Sequence, residues 1–321
     1  NSYFNHLRFI PMTTPACSTD IRLVHKNAYP TTLANMPSPP ARLYIRGELK
    51  QADNQRYLCV VGSRHNTSYG QTLVRELLAG LAGYPISIVS GLAFGIDSMS
   101  HTVALEYGMH CVAFPGSTLE WNMIYPREHE SLARQIVVGG GALISEWPSG
   151  YPTGDWAFPA RNRLMAGISH ATLVIEAAKG SGSLLTAKHA EDFSRDVLAV
   201  PGPVDAPNSY GPHMLIRAGA ALIRHSTDIL EALEFAVVRR PSGSDAPAVK
   251  FDPSCLPAQI RRDKLAQKIL GYLYYEDMTV KVLQEKCLVD TPQLNICLAN
   301  LELERLIRIQ SGRISLRRSK S

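Results

Sequence analysis

The sequence predicts an α/β fold in which a doubly wound, mostly parallel sheet is followed by a small C-terminal winged-helix domain. Between residue 57 and about residue 235, short apolar runs alternate with segments of helical apolar spacing, which is typical of parallel strands covered by helices on both faces. Residues 236–258 are rich in Pro, Ser, Gly and Ala and have little periodicity, which indicates a linker. Residues 259–317 then show three helical patterns and two short strands, the order of a winged-helix domain.

The elements of the large domain follow from that alternation. Strands are predicted where the chain has short apolar runs, over 43–45, 57–62, 86–89, 110–114, 142–145, 171–175 and 197–200. Helices are predicted where apolar residues recur every three or four positions, over 69–81, 96–107, 127–138, 184–193 and 213–218. The predicted organisation is therefore an irregular, proline-rich extension (1–55) packed on the main domain (56–235), a linker (236–258) and a winged-helix-like domain (259–321).

The C-terminal domain has predicted helices over 264–275, 280–286 and 292–303, the last with Thr291 as N-cap, and two strands within 305–316. The third helix of such a domain usually enters the DNA major groove, but here it has no lysine or arginine and carries Glu302. The available cations follow it, at Arg305, Arg308, Arg313, Arg317 and Arg318. We therefore expect at most weak duplex binding, and a protein-contact or regulatory role is at least as well supported.

Composition narrows the class of protein. The 321 residues are 45% hydrophobic and 19% charged, which excludes a disordered or fibrous chain. Residues 1–238 carry 18 basic and 19 acidic side chains, whereas residues 239–321 carry 15 and 9, so the positive excess is C-terminal and permits an anionic partner. Six cysteines without CxxC spacing predict a reduced, cytoplasmic chain.

No segment of the sequence reads as a secretory signal or a membrane span. The longest uncharged stretch, 77–96, is interrupted by glycine and proline, so no membrane association is expected. The chain begins with Asn1 rather than methionine, so the native start is expected to lie upstream, and a further N-terminal domain stays open.

The first candidate binding motif is Gly62-Ser63-Arg64, directly after the first strand of the main domain. Glycine allows a tight turn, the amides of the next helix face an anion, and the Arg64 guanidinium suits a phosphate. The alternative is a plain strand-to-helix turn with a surface arginine. A second glycine loop, 90–97, ends at Asp97. This residue either orients a ligand hydroxyl or has a structural role, capping the helix or holding neighbouring loops, and we favour the structural role.

The third motif joins aromatic and basic residues within eight positions. Trp156, Phe158, Arg161, Asn162 and Arg163 are predicted to lie in a loop at a strand's carboxyl end. In such a loop aromatic rings stack on bases while arginines take phosphates, which holds a single strand without sequence readout. The alternative is the start of a helix with core aromatics.

The fourth motif, Ser181-Gly182-Ser183, opens a helix with small residues and predicts an amide nest for phosphate or carboxylate. It begins like a dinucleotide fingerprint, but Leu185 stands where the third glycine is needed, so NAD binding is weakly supported. The sequence has no GxxxxGK[ST], GxSxG or HExxH signature. No cofactor, metal or catalytic residue is therefore predicted.

Taken in order, these motifs resemble the DNA-processing protein A (DprA/Smf) family. The resemblance covers roughly residues 20–235 and continues more weakly through the C-terminal domain. The matching stretches are VGSR (61–64), SGLAFGID (90–97), YP (125–126), SEWP (145–148), FPARNRLMAG (158–167), VIEA (174–177), SGSLLTA (181–187) and AVPGPVD (199–205). Each is short, but eight in order are specific.

The resemblance implies an extended Rossmann-like domain that binds and protects incoming single-stranded DNA. It also implies help in loading the RecA recombinase during natural transformation, a homodimer, and no chemical reaction. Arg64 and Arg127 would then neutralise phosphates, while Trp156 or Phe158 stacks on a base. The predicted DNA-binding residues are Gly62, Ser63, Arg64, Arg127, Trp156, Phe158, Arg161, Asn162, Arg163, Ser181, Gly182 and Ser183.

Two features depart from the family pattern. The family loop usually reads GxGLDxxYP, whereas the loop from Gly116 to Pro126 is longer by two residues and has Glu120 in place of the aspartate. Asp155 also brings a negative charge close to the predicted arginine cluster.

Two other functions remain open. The same fold superfamily includes nucleotide phosphoribohydrolases with a PGGxGTxxE loop, but this chain has KGSGSLLTA, with Ala187 and Lys188 where a catalytic glutamate would help. Hydrolysis of a nucleoside monophosphate is therefore disfavoured, although Glu176 is a conceivable substitute. The other possibility is a nucleotide-binding sensor that reports through the winged helix.

Overall fold

The computed structural model describes residues 20–235, 260, 263–275, 278–287, 289–304, 306–310 and 313–316. The chain divides between Arg239 and Arg240 into two compact units. The predicted linker over 236–258 lies outside the described residues. Among the helices in those described ranges, none is long and apolar enough to cross a membrane.

The first unit is built on a nine-stranded sheet. Its strands are β1 Ile21–His25, β2 Arg42–Gly47, β3 Arg56–Val61, β4 Ile86–Ser90, β5 His110–Ala113, β6 Ala142–Ser145, β7 Ala171–Val174, β8 Asp196–Ala199 and β9 Ala221–Leu222. Their order across the sheet is β1-β2-β6-β5-β4-β3-β7-β8-β9. All pairs from β6 across to β9 are parallel, whereas β2 pairs antiparallel with β6 and with β1. The predicted doubly wound, mostly parallel sheet is confirmed.

In the described part of this unit, eight α-helices connect and flank these strands. They are α1 Thr31–Ala34, α2 Ser68–Ala79, α3 Ile96–Glu106, α4 Glu130–Val138, α5 Ala157–Ile168, α6 Gly182–Asp192, α7 Tyr210–Arg217 and α8 Ser226–Ala232. Alternate residues of β3 pack into two separate cores, with Leu58 and Val60 on one face of the sheet and Cys59 and Val61 on the other. Burial of both faces explains why the central strands are mostly apolar in sequence.

The sequence prediction was wrong in two places. Residues 20–55 contain β1, α1 and β2 instead of one short strand, because their apolar signal is weak: Leu23 in β1 is 48% exposed. The segment around Phe158 was predicted as a loop but forms α5, because its alanine, leucine and methionine residues continue the helix up to Ile168.

The second unit contains α9 Lys264–Tyr275, β10 Met278–Thr279, α10 Val280–Cys287, α11 Thr291–Leu303, β11 Ile307–Gln310 and β12 Arg313–Leu316. The strands form an antiparallel sheet in the order β10-β12-β11, so the predicted three helices and hairpin are present, with one further short strand. The N-cap of α11 is Asp290 instead of Thr291, because the Asp290 carboxylate accepts a 2.9 Å hydrogen bond from the Gln293 amide.

Candidate functional site

The strand order has its switch point at β3, since successive strands are added from β3 through β4 to β6 on one side and from β7 to β9 on the other. In doubly wound sheets, ligands bind in the crevice at the carboxyl ends of the strands at this point. A pocket lies there, and we call it the switch-point pocket. Its lining residues are Arg64, Gly91, Ala93, Phe94, Pro115, Tyr125, Pro126, Phe158 and Arg161.

Hydrogen bonds to Ser63 hold the loop after β3, and the loop exposes the side chain of Arg64. The Ile96 amide donates to the Ser63 carbonyl at 3.1 Å, and the His65 amide donates to Ser63 Oγ at 3.1 Å. The Arg64 side chain is exposed, and its guanidinium lies 5.7 Å from the centre of the Phe158 ring. Within the described part of the chain no carboxylate forms an ion pair with Arg64. Arg64 is therefore available to an anion.

Aromatic side chains line the same pocket as Arg64. The ring centres of Tyr125 and Phe158 are 5.6 Å apart. The ring centres of Phe94 and His129 are 4.8 Å apart, and His129 Nδ1 lies 2.7 Å from the Leu92 carbonyl oxygen. Phe94 is 42% exposed and Tyr125 is 52% exposed. Exposed ring faces beside a cation suit the stacking of nucleic-acid bases. The sequence analysis did not include Phe94 and Tyr125 among the candidate site residues. The signal that could have found them is that each aromatic residue lies in a glycine-containing loop, 90–97 or 116–126.

Arg161, which was predicted to contact phosphate, is buried and joins the loops that follow β4 and β5. Only 7% of it is exposed, and its guanidinium donates to the carbonyls of Gly91 and Phe114. Its Nη2 lies 3.9 Å from the Asp97 carboxylate, which also accepts a 3.1 Å hydrogen bond from the Gly91 amide. Burial raises the pKa of the Asp97 carboxyl, and Arg161 acts in the opposite direction. The reading of Asp97 as a residue that holds neighbouring loops is confirmed.

Asn162 contacts Arg161, whereas Arg163 is directed elsewhere. Asn162 Oδ1 accepts a 3.0 Å hydrogen bond from Arg161 Nε, and the Asn162 side-chain nitrogen donates to the Gly182 carbonyl at 3.3 Å. Arg163 pairs with Glu146. The predicted convergence of these three side chains on one ligand is therefore wrong for Arg163, because the segment is a helix and not a loop, and successive residues of a helix leave it about 100° apart.

Arg127 and Trp156 lie at the surface. Arg127 donates to the Trp121 carbonyl at 3.2 Å and lies 3.5 Å from the Glu130 carboxylate, yet its side chain is 58% exposed. Trp156 is 50% exposed and packs edge-on against Trp147, with ring centres 4.8 Å apart. Neither residue lines the switch-point pocket itself.

Ser181, Gly182 and Ser183 form the start of α6, as the motif predicted. Ser181 occupies the N-cap position, but its side chain makes no capping hydrogen bond, and its Oγ lies 2.8 Å from Ser183 Oγ. Small residues at the start of an eleven-residue helix leave backbone amides available to an anion.

Glu176, the conceivable catalytic substitute, has a structural role. It is buried, and its two carboxylate oxygens accept hydrogen bonds from the Thr67 amide at 2.9 Å and from Thr67 Oγ1 at 2.5 Å. Thr67 is the N-cap of α2, and its Oγ1 accepts from the Gly70 amide. Glu176 thus fastens the start of α2 to the end of β7, beside the loop that carries Arg64.

Replacing Thr67 by alanine is expected to lower the free energy of unfolding by about 1–2 kcal/mol, because the helix loses its N-cap and Glu176 loses a hydrogen-bond donor. Urea denaturation of the purified chain measures this change. Thr102→Ala is the matched control, since the Thr102 hydroxyl lies on an exposed face of α3, where it donates to the Ser98 carbonyl. Equal stability of the two variants would contradict the capping role.

Comparisons with known proteins identify the family. A profile of the family described as DNA recombination-mediator protein A matches residues 20–234. The Smf protein of Escherichia coli strain K12 is 38% identical over 292 residues, which cover 91% of this chain and 76% of that protein. The crystal structure of DNA processing protein A from Streptococcus pneumoniae matches with a TM-score of 0.61 and 34% identity, over 68% of this chain and 75% of that one.

A second solved structure shares the fold. DNA processing protein A from Helicobacter pylori, described for its single-stranded DNA binding mode, matches with a TM-score of 0.59 at 24% identity, over 68% of this chain and 98% of that one. The family profile spans the whole sheet, from β1 to α8, and so includes every loop that lines the switch-point pocket. The chain therefore belongs to the DNA recombination-mediator protein A family, known as DprA or Smf.

Proposed function

We propose that this chain binds single-stranded DNA in the switch-point pocket and acts in the processing of DNA for recombination. The observation that supports this proposal most strongly is Arg64, an exposed cation without an ion-pair partner in the described residues, which lies beside the half-buried ring of Phe158 in a pocket also lined by the exposed ring of Tyr125. A cation flanked by ring faces holds a strand through its phosphate and its base, without sequence readout. The binding mode named for the Helicobacter pylori relative supports the same ligand.

The predicted residues receive distinct roles in this proposal. Arg64 and Arg127 contact phosphates, the Gly62-Ser63 turn brings the Arg64 backbone to the ligand, and the start of α6 at 181–183 offers amides to a further phosphate. Phe158, with Phe94 and Tyr125, stacks on bases. Arg161, Asn162 and Arg163 support the pocket from α5 instead of contacting the strand.

The wider biological role is also part of the proposal. A chain of this family that shields a single strand is suited to hand that strand to the RecA recombinase during natural transformation, and to act as a homodimer in doing so. Co-elution with RecA on a labelled strand, and the mass in solution, test these two points separately.

The enzyme and sensor alternatives are weaker but testable. Both oxygens of Glu176 accept from Thr67, so this carboxylate is not positioned as a free base in the pocket. Release of free base from a nucleoside monophosphate would nevertheless establish hydrolysis. A mononucleotide that competes fully with oligo-dT would favour a sensor.

Arg64→Ala is expected to weaken binding of a labelled oligo-dT by roughly 10-fold to 100-fold, because it removes a charge-assisted contact to phosphate. It is also expected to reduce the slope of log affinity against log salt by about 0.7. Fluorescence anisotropy across a salt series, beside a duplex of equal length, measures both.

The matched control is Arg75→Ala, which removes the same charge from α2, where Arg75 pairs with Glu106 away from the pocket. If Arg64→Ala binds the strand like Arg75→Ala, with the parent salt slope, Arg64 is not part of the site. If the parent chain binds no strand at low salt, the proposed function itself is wrong.

A further inference from the structure

Three aromatic side chains form a cluster outside the lining of the switch-point pocket. Trp147 stacks on Tyr151 with ring centres 5.3 Å apart and planes inclined by 15°, and it receives the edge of Trp156 at 4.8 Å. Tyr151 is 42% exposed and Trp156 is 50% exposed. We call Trp147, Tyr151 and Trp156 the aromatic platform. Tyr151 and Trp156 offer exposed ring surface to a planar ligand.

The platform is held by a loop with specific anchors. Ser145 Oγ accepts a 3.1 Å hydrogen bond from the Trp147 amide and donates to the Ser117 carbonyl at 2.7 Å. Glu120 Oε1 accepts a 2.8 Å hydrogen bond from the Gly150 amide. The first anchor joins the end of β6 to the 116–126 loop, and the second starts from Glu120 in that loop, where the family pattern has aspartate. Glu120 thus holds the residue next to Tyr151.

The platform and the pocket share the first turn of α5. Trp156 is the N-cap of this helix, and Phe158, which lines the pocket, is its second residue. Residues two apart in a helix point about 200° from each other, so the two rings leave this turn toward different sides. A strand that contacts both rings therefore has to cross the first turn of α5.

We propose that the aromatic platform is a second base-binding subsite, which takes a nucleotide of the same single strand beyond the one held beside Arg64. This inference rests on the proposed function. The charges near the platform favour bases over phosphates, since Asp155 precedes Trp156 and Arg163 is paired with Glu146. The subsite therefore adds affinity by stacking, only for strands long enough to reach it, and adds little salt dependence.

The test uses Tyr151→Leu and Trp156→Leu in the full chain, with oligo-dT from the shortest strand that binds up to 20 nucleotides. Each variant is expected to lose about fivefold or more in affinity for the long strand, as base stacking on an aromatic ring implies, and to bind the shortest strand like the parent. The salt slope stays unchanged. A long strand with abasic residues outside its pocket-bound segment is expected to bind the parent no more tightly than the short one.

The control is Tyr107→Leu, a tyrosine with the same 42% exposure just after α3. Glu120→Asp restores the family residue with a shorter side chain, and we expect it to weaken long strands selectively through the loop. As a second readout, a long strand quenches the tryptophan fluorescence of the parent more than that of Trp156→Leu, since Trp121 is covered by Arg46 and Arg134.

Separate outcomes overturn the two proposals. If Tyr151→Leu and Trp156→Leu bind strands of every length as tightly as the parent, while Arg64→Ala binds weakly, the subsite is ruled out and the proposed function stands. Equal losses for long and short strands also rule it out, because they indicate a general disturbance of the site. A parent chain that binds no strand overturns both.

Discussion

Arg161→Met is expected to lower the free energy of unfolding by about 3–5 kcal/mol, because it leaves a buried carboxylate without its cation. The Arg161 guanidinium donates to the Gly91 and Phe114 carbonyls, which follow β4 and β5, and faces Asp97 at the start of α3. Methionine is similar in length but donates no hydrogen bond, so those acceptors are left buried. Urea denaturation measures the loss.

Two further variants separate this role from a contact with DNA. Arg163→Met is the matched control in the same helix; its partially exposed pair with Glu146 is expected to be worth about 1 kcal/mol. Combining Arg161→Met with Asp97→Asn is expected to restore part of the lost stability, since the amide does not require a cation. If Arg161→Met is as stable as Arg163→Met but binds a single strand poorly, Arg161 contacts the ligand.

Gly95→Ala is the second substitution with a large expected effect. Gly95 has φ +80° and ψ −126°, a conformation open essentially to glycine alone, and an added Cβ would lie 2.2 Å from the Ser63 carbonyl oxygen. Both backbone strain and a backbone collision oppose the alanine. We expect a loss of about 3 kcal/mol or more in the free energy of unfolding, since each effect costs roughly 1–3 kcal/mol.

Gly108→Ala provides the comparison, because Gly108 also has positive φ (+65°) but open space where the Cβ would stand. We expect Gly108→Ala to lower the free energy of unfolding by about 1 kcal/mol, because only the backbone conformation opposes the alanine. Thermal or urea unfolding measures both variants. Any Gly95→Ala protein that folds is further expected to bind a strand weakly, since the collision displaces the loop that carries Arg64. Equal stability of the two variants would contradict the close packing of these loops.

Much of the fold was predictable because it depends on local pattern. Strands β3, β4, β5 and β7 are mostly apolar because both faces of the central sheet are buried, and this pattern can be recognised from the strand's own residues. The same holds for the glycine turn at Gly62. In contrast, β1 and β9 lie at the two edges of the sheet; β1 is interrupted by Arg22 and β9 is only two residues long, so neither has the pattern of a buried strand.

The candidate site was predictable in position but not in detail. Loops that follow parallel strands meet at one edge of the sheet, which places Arg64 and Phe158 together. Neither the exposure of Phe94 nor the burial of Arg161 has a local signal, because each depends on which loop or helix packs against it. Residue type alone therefore gave Arg161 and Arg64 the same role.

The sequence by itself determined the alternation of strands and helices, the separate C-terminal unit and, through the order of its motifs, the family. These features depend on the periodicity of apolar residues and on motifs of residues that are close along the chain. Only the tertiary structure decided that Arg161 joins two strand ends, that Glu176 holds Thr67, and that Trp147, Tyr151 and Trp156 meet at the surface. The direction of a side chain depends on the rotation of its helix and on the loops beside it, and those are set by packing between segments distant in sequence.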